Sequence, residues 1–206
     1  GVYCIYNVTE GRQQDGWSQI MSIPRRYTLG EANRLYISPA GDIESLRKQA
    51  VELNNIELPA YQEMVLEEVR GNTLEINAII DPGKAKYIRL KVLRSHDMSE
   101  YTSVNFHREV GKDYANRSWN IRESMITLDP TFSTVDSTVD INEPQICHFQ
   151  YNEGDSLEIR IFIDRSIVEV FVNNQTACLT RVYPSSSDSI GFSIEARGKD
   201  AQCKKL

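Results

Sequence analysis

The sequence predicts an all-β fold, and more specifically an antiparallel β-sandwich. Three observations lead to this prediction. Apolar and polar residues alternate with a period of two, turn-forming residues separate the alternating segments at short intervals, and helical periodicity is nearly absent. Several short strands with frequent turns are typical of sandwiches and barrels. With 206 residues, 40% of them hydrophobic and 25% charged, the chain is long enough to bury one such core.

The N-terminal segment differs from the rest of the chain. Residues 1–6 (GVYCIY) look like a strand, and residues 10–16 are polar and contain glycine, as a loop or linker does. We therefore predict a boundary that separates residues 1–15 from a sandwich domain over residues 16–206. The main helical signal lies at residues 43–47, where Asp42 is the predicted N-cap of one or two turns.

The middle of the chain carries paired strand signals. Apolar residues alternate over residues 74–80 and 88–92, on either side of the Asp-Pro-Gly turn at residues 81–83. Residues 101–106 and 125–128 are further candidate strands. The polar residues of these strands, including Arg89 and Lys91, are predicted to lie on a solvated face.

The C-terminal third shows the clearest alternation. Its connections are short, and the pair Asn173–Asn174 tolerates the positive φ of a tight hairpin. Short loops between alternating strands predict an antiparallel meander with one buried face per strand. The predicted strands are residues 157–163, 167–172, 176–183, 189–196 and a last one from Ala201.

Composition argues against several classes of partner. The net charge of −6 disfavours a phosphate backbone, so we predict no nucleic acid partner. No apolar run approaches the length of a membrane span, and we predict no membrane partner. The four cysteines, Cys4, Cys147, Cys178 and Cys203, form no C-x-x-C pair, so free thiols are favoured over zinc or disulfides. No metal or other cofactor is predicted, and the cellular compartment stays open.

Two distant segments resemble glycoside hydrolase family 32, the family of invertases, levanases and inulinases. Residues 16–25 (GWSQIMSIPR) are similar to the junction that leads from the family's catalytic five-bladed propeller into its C-terminal β-sandwich. Residues 157–172 (LEIRIFIDRSIVEVFV) resemble a hairpin of that sandwich, and residues 180–184 (TRVYP) match the segment after it. The resemblance implies a sandwich of concanavalin or jelly-roll type, with residues 1–15 as the remnant of the last propeller strand and a linker.

The family's catalytic motifs are missing from the sequence. The resemblance implies an Asp in an Asn-Asp-Pro-Asn-Gly-like motif, an Asp in Arg-Asp-Pro and a Glu in Glu-Cys, all upstream of this segment in the family. The two Asp-Pro pairs here begin at Asp81 and Asp129, which follow Ile80 and Leu128 rather than arginine, and no Glu-Cys occurs. We therefore assign no catalytic residue and expect the chain to be inactive alone.

Local groups that could carry chemistry have simpler structural interpretations. Asp164 and Glu169 are the pair that could imitate glycosidase carboxyls, but Asp164 opens a turn and Glu169 points away from an apolar face. The histidines His96, His107 and His148 lack metal-ligand spacing. The run Ser95-His96-Asp97 is adjacent in sequence, which favours a loop over a catalytic triad.

Six residues are candidates for contacts outside the chain's own core. Tryptophan faces stack on sugar rings, so Trp119, in a polar segment, is a candidate carbohydrate contact. The other five belong to the two family-like motifs, and we predict that they fix hairpin or domain-interface geometry. These domain-interface candidates are Trp17, Pro24, Arg25, Asp164 and Arg165.

Two functions from different classes follow. The first is a non-catalytic sandwich that supports the catalytic propeller of a β-fructofuranosidic hydrolase and contributes oligomer contacts, so that the carbohydrate substrate is only an indirect partner. The second is an autonomous, lectin-like carbohydrate-binding module that uses exposed aromatic side chains. An independent hydrolase is disfavoured by the missing motifs. The choice between sucrose, inulin and levan, and between hydrolysis and transfer, stays open.

Overall fold

The computed structural model describes residues 4–5, 20–30, 33–110 and 123–206. The chain divides into two compact units, residues 1–50 and residues 51–206. The described strands of the first unit form two short antiparallel pairs, β1 with β2 and β3 with β4. These strands are β1 (Cys4–Ile5), β2 (Ile20–Met21), β3 (Arg25–Leu29) and β4 (Leu35–Pro39). The predicted boundary after residue 15 stays a prediction, because residues 6–19 lie outside the described ranges.

The predicted helical turn of the first unit is a short 3-10 helix, Ile43–Leu46. Asp42 occupies its N-cap position, but its carboxylate makes no capping hydrogen bond. Instead, the side-chain hydroxyl of Ser45 donates a hydrogen bond to the backbone carbonyl of Asp42 at 2.7 Å. The tighter 3-10 turn therefore forms without the side-chain cap that the sequence predicted.

The second unit contains twelve described strands in two six-stranded antiparallel sheets. Sheet I has the order β11-β10-β9-β8-β15-β6, and sheet II has the order β14-β13-β12-β7-β16-β5. The predicted antiparallel β-sandwich is confirmed. The strands are β5 (Asn54–Leu58), β6 (Glu63–Val65), β7 (Thr73–Asp81), β8 (Tyr87–Arg94), β9 (Thr102–Val110), β10 (Glu123–Asp129), β11 (Gln145–Phe149), β12 (Leu157–Asp164), β13 (Ile167–Val172), β14 (Thr176–Arg181), β15 (Gly191–Arg197) and β16 (Ala201–Lys205).

One hydrophobic core lies between the two sheets. Alternate residues of each strand point inward, as in β8, where Ile88, Leu90 and Val92 are fully buried. Sheet II contributes the matching inward residues of β7 and β12, among them Ile80 and Ile161. Burial of apolar surface on this scale is the main stabilising term of the domain.

The C-terminal strands form a shorter meander than the sequence predicts. Strands β12, β13 and β14 are consecutive neighbours in sheet II, as expected. Strand β15 instead pairs with β8 in sheet I, and β16 returns to sheet II beside β7. The prediction of one continuous meander was therefore wrong after β14, because alternation identifies the inward face of a strand but not the sheet that it joins.

Candidate functional site

The family-like hairpin places Asp164 and Arg165 at an exposed end of sheet II. Asp164 pairs with Ile167, so Arg165 and Ser166 form a two-residue loop. Arg165 adopts a φ of 53°, and its backbone N–H donates to the Asn72 carbonyl at 2.6 Å. Both Asp164 and Arg165 are exposed. They are therefore accessible to another surface, and their role at a domain interface stays a prediction.

The hairpin is held by its backbone and not by the Asp164 side chain. Besides the bond from Arg165, the Val182 N–H donates to the Ser166 carbonyl at 2.9 Å. The exposed Asp164 carboxylate accepts no hydrogen bond within the described part of the chain. Its contribution to the geometry of the isolated domain is consequently small.

Asp164 and Glu169 do not form a catalytic carboxyl pair. The register pairs Asp164 with Ile167 and Phe162 with Glu169, so both carboxyls lie on the same face of sheet II. Glu169 is 1% exposed, whereas Asp164 faces solvent. A pair that acts on a sugar needs both groups to line one accessible cleft, which this arrangement does not provide.

The remaining predicted interface residues belong to the first unit. Pro24 is exposed, and its carbonyl accepts a hydrogen bond from the Ala40 N–H at 2.7 Å. Arg25, the first residue of β3, is buried. Trp17 and the candidate sugar contact Trp119 lie outside the described residues.

The two Asp-Pro pairs cap turns. The Asp81 carboxylate accepts the Gly83 N–H at 3.0 Å, and the Asp129 carboxylate accepts the Thr131 N–H at 2.9 Å. Asx turns of this kind stabilise the chain reversal that follows the aspartate. The geometry gives both residues a structural role.

The Ser95-His96-Asp97 run forms a loop, as predicted. The Ser95 hydroxyl donates to the Asp97 carboxylate at 2.8 Å, and the backbone N–H of His96 donates to Asp188 at 3.1 Å. The His96 side chain is exposed. Burial, with a smaller effect of the Arg89 charge, lowers the pKa of His107, which packs edge-on against Tyr87.

Glu100 is a buried carboxylate that the sequence analysis missed. Its Oε1 accepts the backbone N–H groups of Val135 and Ser185 at 2.9 and 3.0 Å and also the Ser185 hydroxyl. Its Oε2 accepts the Ser186 N–H at 3.0 Å and the Ser189 hydroxyl at 2.6 Å. These five hydrogen bonds tie the loop after β10 and the loop after β14 to one side chain.

The environment of Glu100 strongly favours its ionised form. Burial raises the pKa of this carboxyl, but hydrogen bonds from Ser185, Ser189 and two backbone N–H groups outweigh it and lower the pKa to about 2. No signal close to Glu100 in the sequence predicts this, because its serine partners follow 85 or more residues later. The cradle is structural, since the buried carboxylate accepts hydrogen bonds from the protein at both of its oxygens.

A second polar network covers the outward face of sheet I. Glu63 on β6 contacts Lys91 Nζ at 2.7 Å, Arg94 Nε at 3.1 Å and the Ser193 hydroxyl at 2.6 Å. Burial raises the pKa of Glu63, but its bonds to Lys91 and Ser193 outweigh this effect and the pKa is lowered. Lys91 is only 4% exposed, so the prediction that it lies on a solvated face was wrong.

The network extends along β8 through Arg89. Arg89 Nη1 lies 3.2 Å from Glu195 Oε1, and Arg89 Nε donates to the Tyr87 hydroxyl at 2.6 Å. Glu195 Oε1 makes no hydrogen bond, so this contact with Arg89 is an ion pair alone. Tyr87 donates onward to Asn105 Oδ1 at 2.7 Å. Most of these groups satisfy one another, so the face supports the sheet rather than presenting free groups to a reactant.

Other classes of site are not apparent in the described ranges. Among these residues, no group of three or more His, Cys, Asp or Glu side chains is arranged to hold a metal ion. They also include no helix of the length and apolarity needed to cross a bilayer. Three cysteines whose side chains are described, Cys147, Cys178 and Cys203, are free thiols, and burial raises the pKa of Cys203 to about 11.

The fold and its polar clusters place this chain in a class of proteins: two-sheet antiparallel β-sandwiches whose charged side chains form structural networks. Comparison with known families adds a match to the C-terminal domain of glycosyl hydrolases family 32 over residues 42–206. The chain therefore belongs to glycosyl hydrolases family 32, and this sandwich is its C-terminal domain.

Curated relatives and solved structures agree with this assignment. The levanase of Bacillus subtilis is 27% identical over 195 residues, which cover 92% of this chain and 27% of the levanase. An insoluble beta-fructofuranosidase of Arabidopsis thaliana, isoenzyme CWINV1, is 28% identical over 207 residues, covering 83% of this chain and 34% of that protein.

The solved structures establish the likeness in fold. Fructan 1-exohydrolase IIa from Cichorium intybus matches 99% of this chain and 43% of its own with a TM-score of 0.82 and 17% identity. Exo-inulinase from Aspergillus awamori matches 92% of this chain and 36% of its own, with a TM-score of 0.67 and 19% identity. The chain thus spans about a third of the curated relatives that it matches.

Proposed function

We propose that this domain is a non-catalytic support for the catalytic part of a larger family 32 enzyme that cleaves β-fructofuranosidic bonds. The observation that carries the proposal is the combination of family membership with the chemistry of the carboxylates. The carboxylates discussed above cap turns, occupy structural networks or stand alone in solvent. The sequence also contains none of the three motifs that carry the family's catalytic carboxyls.

The first unit supplies the surface for this support role. Among the described residues of positions 1–50, no hydrophobic side chain is buried, and the core begins only at Leu58. Met21, Leu29 and Leu35 are each more than half exposed. We infer that a protein partner covers these exposed apolar side chains. The partner that the family resemblance implies is the catalytic propeller of the same parent protein.

The substrate class follows from the relatives that the chain resembles. They are named levanase, beta-fructofuranosidase and fructan exohydrolase. We infer that the parent enzyme acts on a terminal fructosyl bond of sucrose or a fructan. The present domain contributes stability and contact surface to that enzyme and no reacting group.

An assay of the purified chain tests the support role. The chain is incubated with sucrose, inulin and levan, and the released fructose is measured. We expect no release above the buffer blank, and no saturable heat when the same sugars are titrated calorimetrically. The parent enzyme, assayed beside it, serves as the positive control.

Two results would contradict the proposal. Fructose release that co-purifies with the chain would make the domain an enzyme in its own right. Saturable binding of neutral fructans without hydrolysis would favour the lectin-like alternative.

A further inference from the structure

Cys147 and Cys178 lie on the two strands that meet at one edge of the sandwich. Strand β11, which carries Cys147, is an edge strand of sheet I, and strand β14, which carries Cys178, is an edge strand of sheet II. The two strands are in contact, although they belong to different sheets. One thiol of each sheet therefore lies along the same edge.

Both cysteine side chains project into the space between the sheets. Cys147 is paired with Ile126 of β10, and Cys178 is paired with Val170 of β13. Residues that are directly opposite in an antiparallel pair project to the same face of the sheet. Ile126 and Val170 are fully buried in the core, Cys178 belongs to that core, and Cys147 packs against it. The two thiols are therefore on the inward faces of the two sheets.

The Cys147 sulfur lies beside the backbone of β14. Its Sγ is 3.8 Å from the Ala177 carbonyl oxygen, which belongs to the peptide bond that joins Ala177 to Cys178. A carbonyl oxygen lies about 2.8 Å from the following Cα, so the Cys147 sulfur is within about 6.6 Å of the Cys178 Cα. Gln150 and Gln175 fix this approach, because the Gln150 N–H donates to Gln175 Oε1 and Gln175 Nε2 donates to the Gln150 carbonyl, each at 3.0 Å. Disulfides join Cα atoms that are about 4.4 to 6.8 Å apart, and this approach is compatible with that range.

We propose that Cys147 and Cys178 are a redox-sensitive pair, which forms an intramolecular disulfide between the two sheets with glutathione disulfide as the oxidant. Cys147 is half-buried, whereas Cys178 is only 6% exposed, so Cys147 reacts first. Its thiolate attacks one sulfur of glutathione disulfide, forms a mixed disulfide and releases one glutathione thiolate. The Cys178 thiolate then attacks the Cys147 sulfur and displaces the second glutathione. The two thiol protons go to the two glutathione thiolates, and the two electrons lost by the cysteines reduce the glutathione disulfide.

The disulfide stabilises the sandwich by joining its two sheets. It closes a loop of about 30 residues that contains the β12–β13 hairpin. Closing such a loop restricts the unfolded chain more than the folded one. We expect the oxidised domain to melt about 5 to 10 °C above the reduced domain. The pair is independent of the proposed support role, and a negative result here leaves that role untouched.

Mass spectrometry of the full chain tests the pair. The folded chain is incubated with glutathione disulfide at about pH 8, where thiols are partly ionised. The remaining thiols are alkylated, and the chain is digested with trypsin without reduction. Trypsin cleaves after Arg160 and Arg165, so Cys147 and Cys178 lie on separate peptides. We expect these two peptides to be linked, and we expect dithiothreitol both to separate them and to return the melting temperature to the reduced value.

Three variants connect the rise in melting temperature to this pair. Cys147→Ser and Cys178→Ala should each abolish both the linked peptides and the rise on oxidation. Cys203→Ala is the matched control, because Cys203 is a buried thiol on β16, where it is paired with Ile56 and Ile80. Burial raises the pKa of Cys203 to about 11, so little of its reactive thiolate forms. Cys203→Ala should keep the linked peptides and the full rise.

Either of two outcomes would refute the pair. One is that both thiols of the folded chain are still alkylated after treatment with glutathione disulfide. The other is that oxidation stops at a mixed disulfide of Cys147 with glutathione, or links other cysteines instead. If Cys178→Ala fails to fold, the comparison of Cys147→Ser with Cys203→Ala decides the matter alone.

Discussion

The Glu100 carboxylate links two loops that are far apart in sequence. It is fully buried and accepts five hydrogen bonds, and no cation is among those donors. Backbone and hydroxyl donors therefore stabilise its charge in place of a salt bridge. The lowered pKa of Glu100 makes the stability of the domain dependent on pH.

We expect Glu100→Gln to destabilise the domain by about 3 kcal/mol at pH 7, the equivalent of lowering a pKa from 4.5 to about 2. Because the folded pKa is depressed, the stabilisation is complete above pH 4.5 and is lost as the pH falls toward 2. Urea unfolding between pH 7 and pH 2.5 measures both the loss and its pH dependence.

Glu68→Gln, at an exposed position of the same unit, is the control for the loss of one carboxylate. It should keep the wild-type pH dependence, whereas Glu100→Gln should lose less stability than wild type between pH 4.5 and 2.5. Parallel pH profiles for wild type and Glu100→Gln would show that Glu100 is not the titrating group.

Single residues also show which structural features the sequence alone cannot predict. The alternation of β8 correctly placed Lys91 on the face opposite Ile88, Leu90 and Val92. The burial of Lys91 could not be predicted, because it depends on the pairing of β15 with both β6 and β8, which brings Ser193 and Glu63 beside it. Alternation predicts the face of a sheet on which a residue lies. The pairing of strands that are distant in sequence decides whether that face is exposed to solvent.

The central strands of the sandwich were predicted well, whereas three of its four edge strands were not predicted. Strands β7, β8, β12 and β13 each place a regular row of apolar residues in the core, so their sequences alternate clearly. Strands β5, β6 and β11 lie at sheet edges, bury few residues and were not predicted. An edge strand has fewer neighbours to select its side chains, so it leaves a weaker pattern in the sequence.

The turn between β13 and β14 depends on Asn173. Asn173 adopts a φ of 47°, its Oδ1 accepts the Glu158 N–H at 2.7 Å, and its Nδ2 donates to the Ser156 carbonyl at 3.2 Å. Asn173→Ala loses both side-chain bonds and retains the backbone strain. We expect a loss of about 2 to 3 kcal/mol in the free energy of unfolding.

Asn173→Gly separates the two causes, because glycine tolerates the positive φ but supplies no side-chain bond. Its stability, measured by thermal denaturation, should fall between those of wild type and Asn173→Ala. Equal stability of the glycine and alanine variants would show that backbone strain does not contribute.

Asp164 lies in the β12–β13 hairpin, and a substitution there distinguishes a structural role from a role at a domain interface. Because its carboxylate makes no hydrogen bond to any residue that the structure describes, Asp164→Ala should change the stability of the isolated chain by less than about 0.5 kcal/mol. In the parent enzyme, a residue at the domain interface should cost about 1 kcal/mol or more when truncated. Melting temperatures of both forms measure the difference.

Ser166→Ala, in the same two-residue loop, is the matched control. It should change the melting temperature of the isolated chain and of the parent enzyme by the same amount. A large loss of stability for Asp164→Ala in the isolated chain would contradict this account of the hairpin. Equal, small losses of stability for Asp164→Ala in both forms would show that Asp164 does not contribute to the proposed interface.

The molecule as a whole combines a well-packed sandwich with a first unit that lacks described core residues. Among the residues that the structure describes, the buried hydrophobic side chains all lie between Leu58 and Cys203. The sequence predicted the fold class and, through two motifs, the family. It could not identify the exchange of β15 and β16 between the sheets or the Glu100 cradle, because each depends on residues that are distant in sequence.

The most direct test of the support role uses the parent enzyme with and without residues 51–206. Thermal inactivation of its fructose-releasing activity is followed for both forms, with the initial rate at low temperature as reference. We predict that the shortened enzyme retains its catalytic carboxyls but inactivates at a markedly lower temperature than the intact enzyme. Equal inactivation temperatures would contradict the account, and so would activity that resides in residues 51–206 alone.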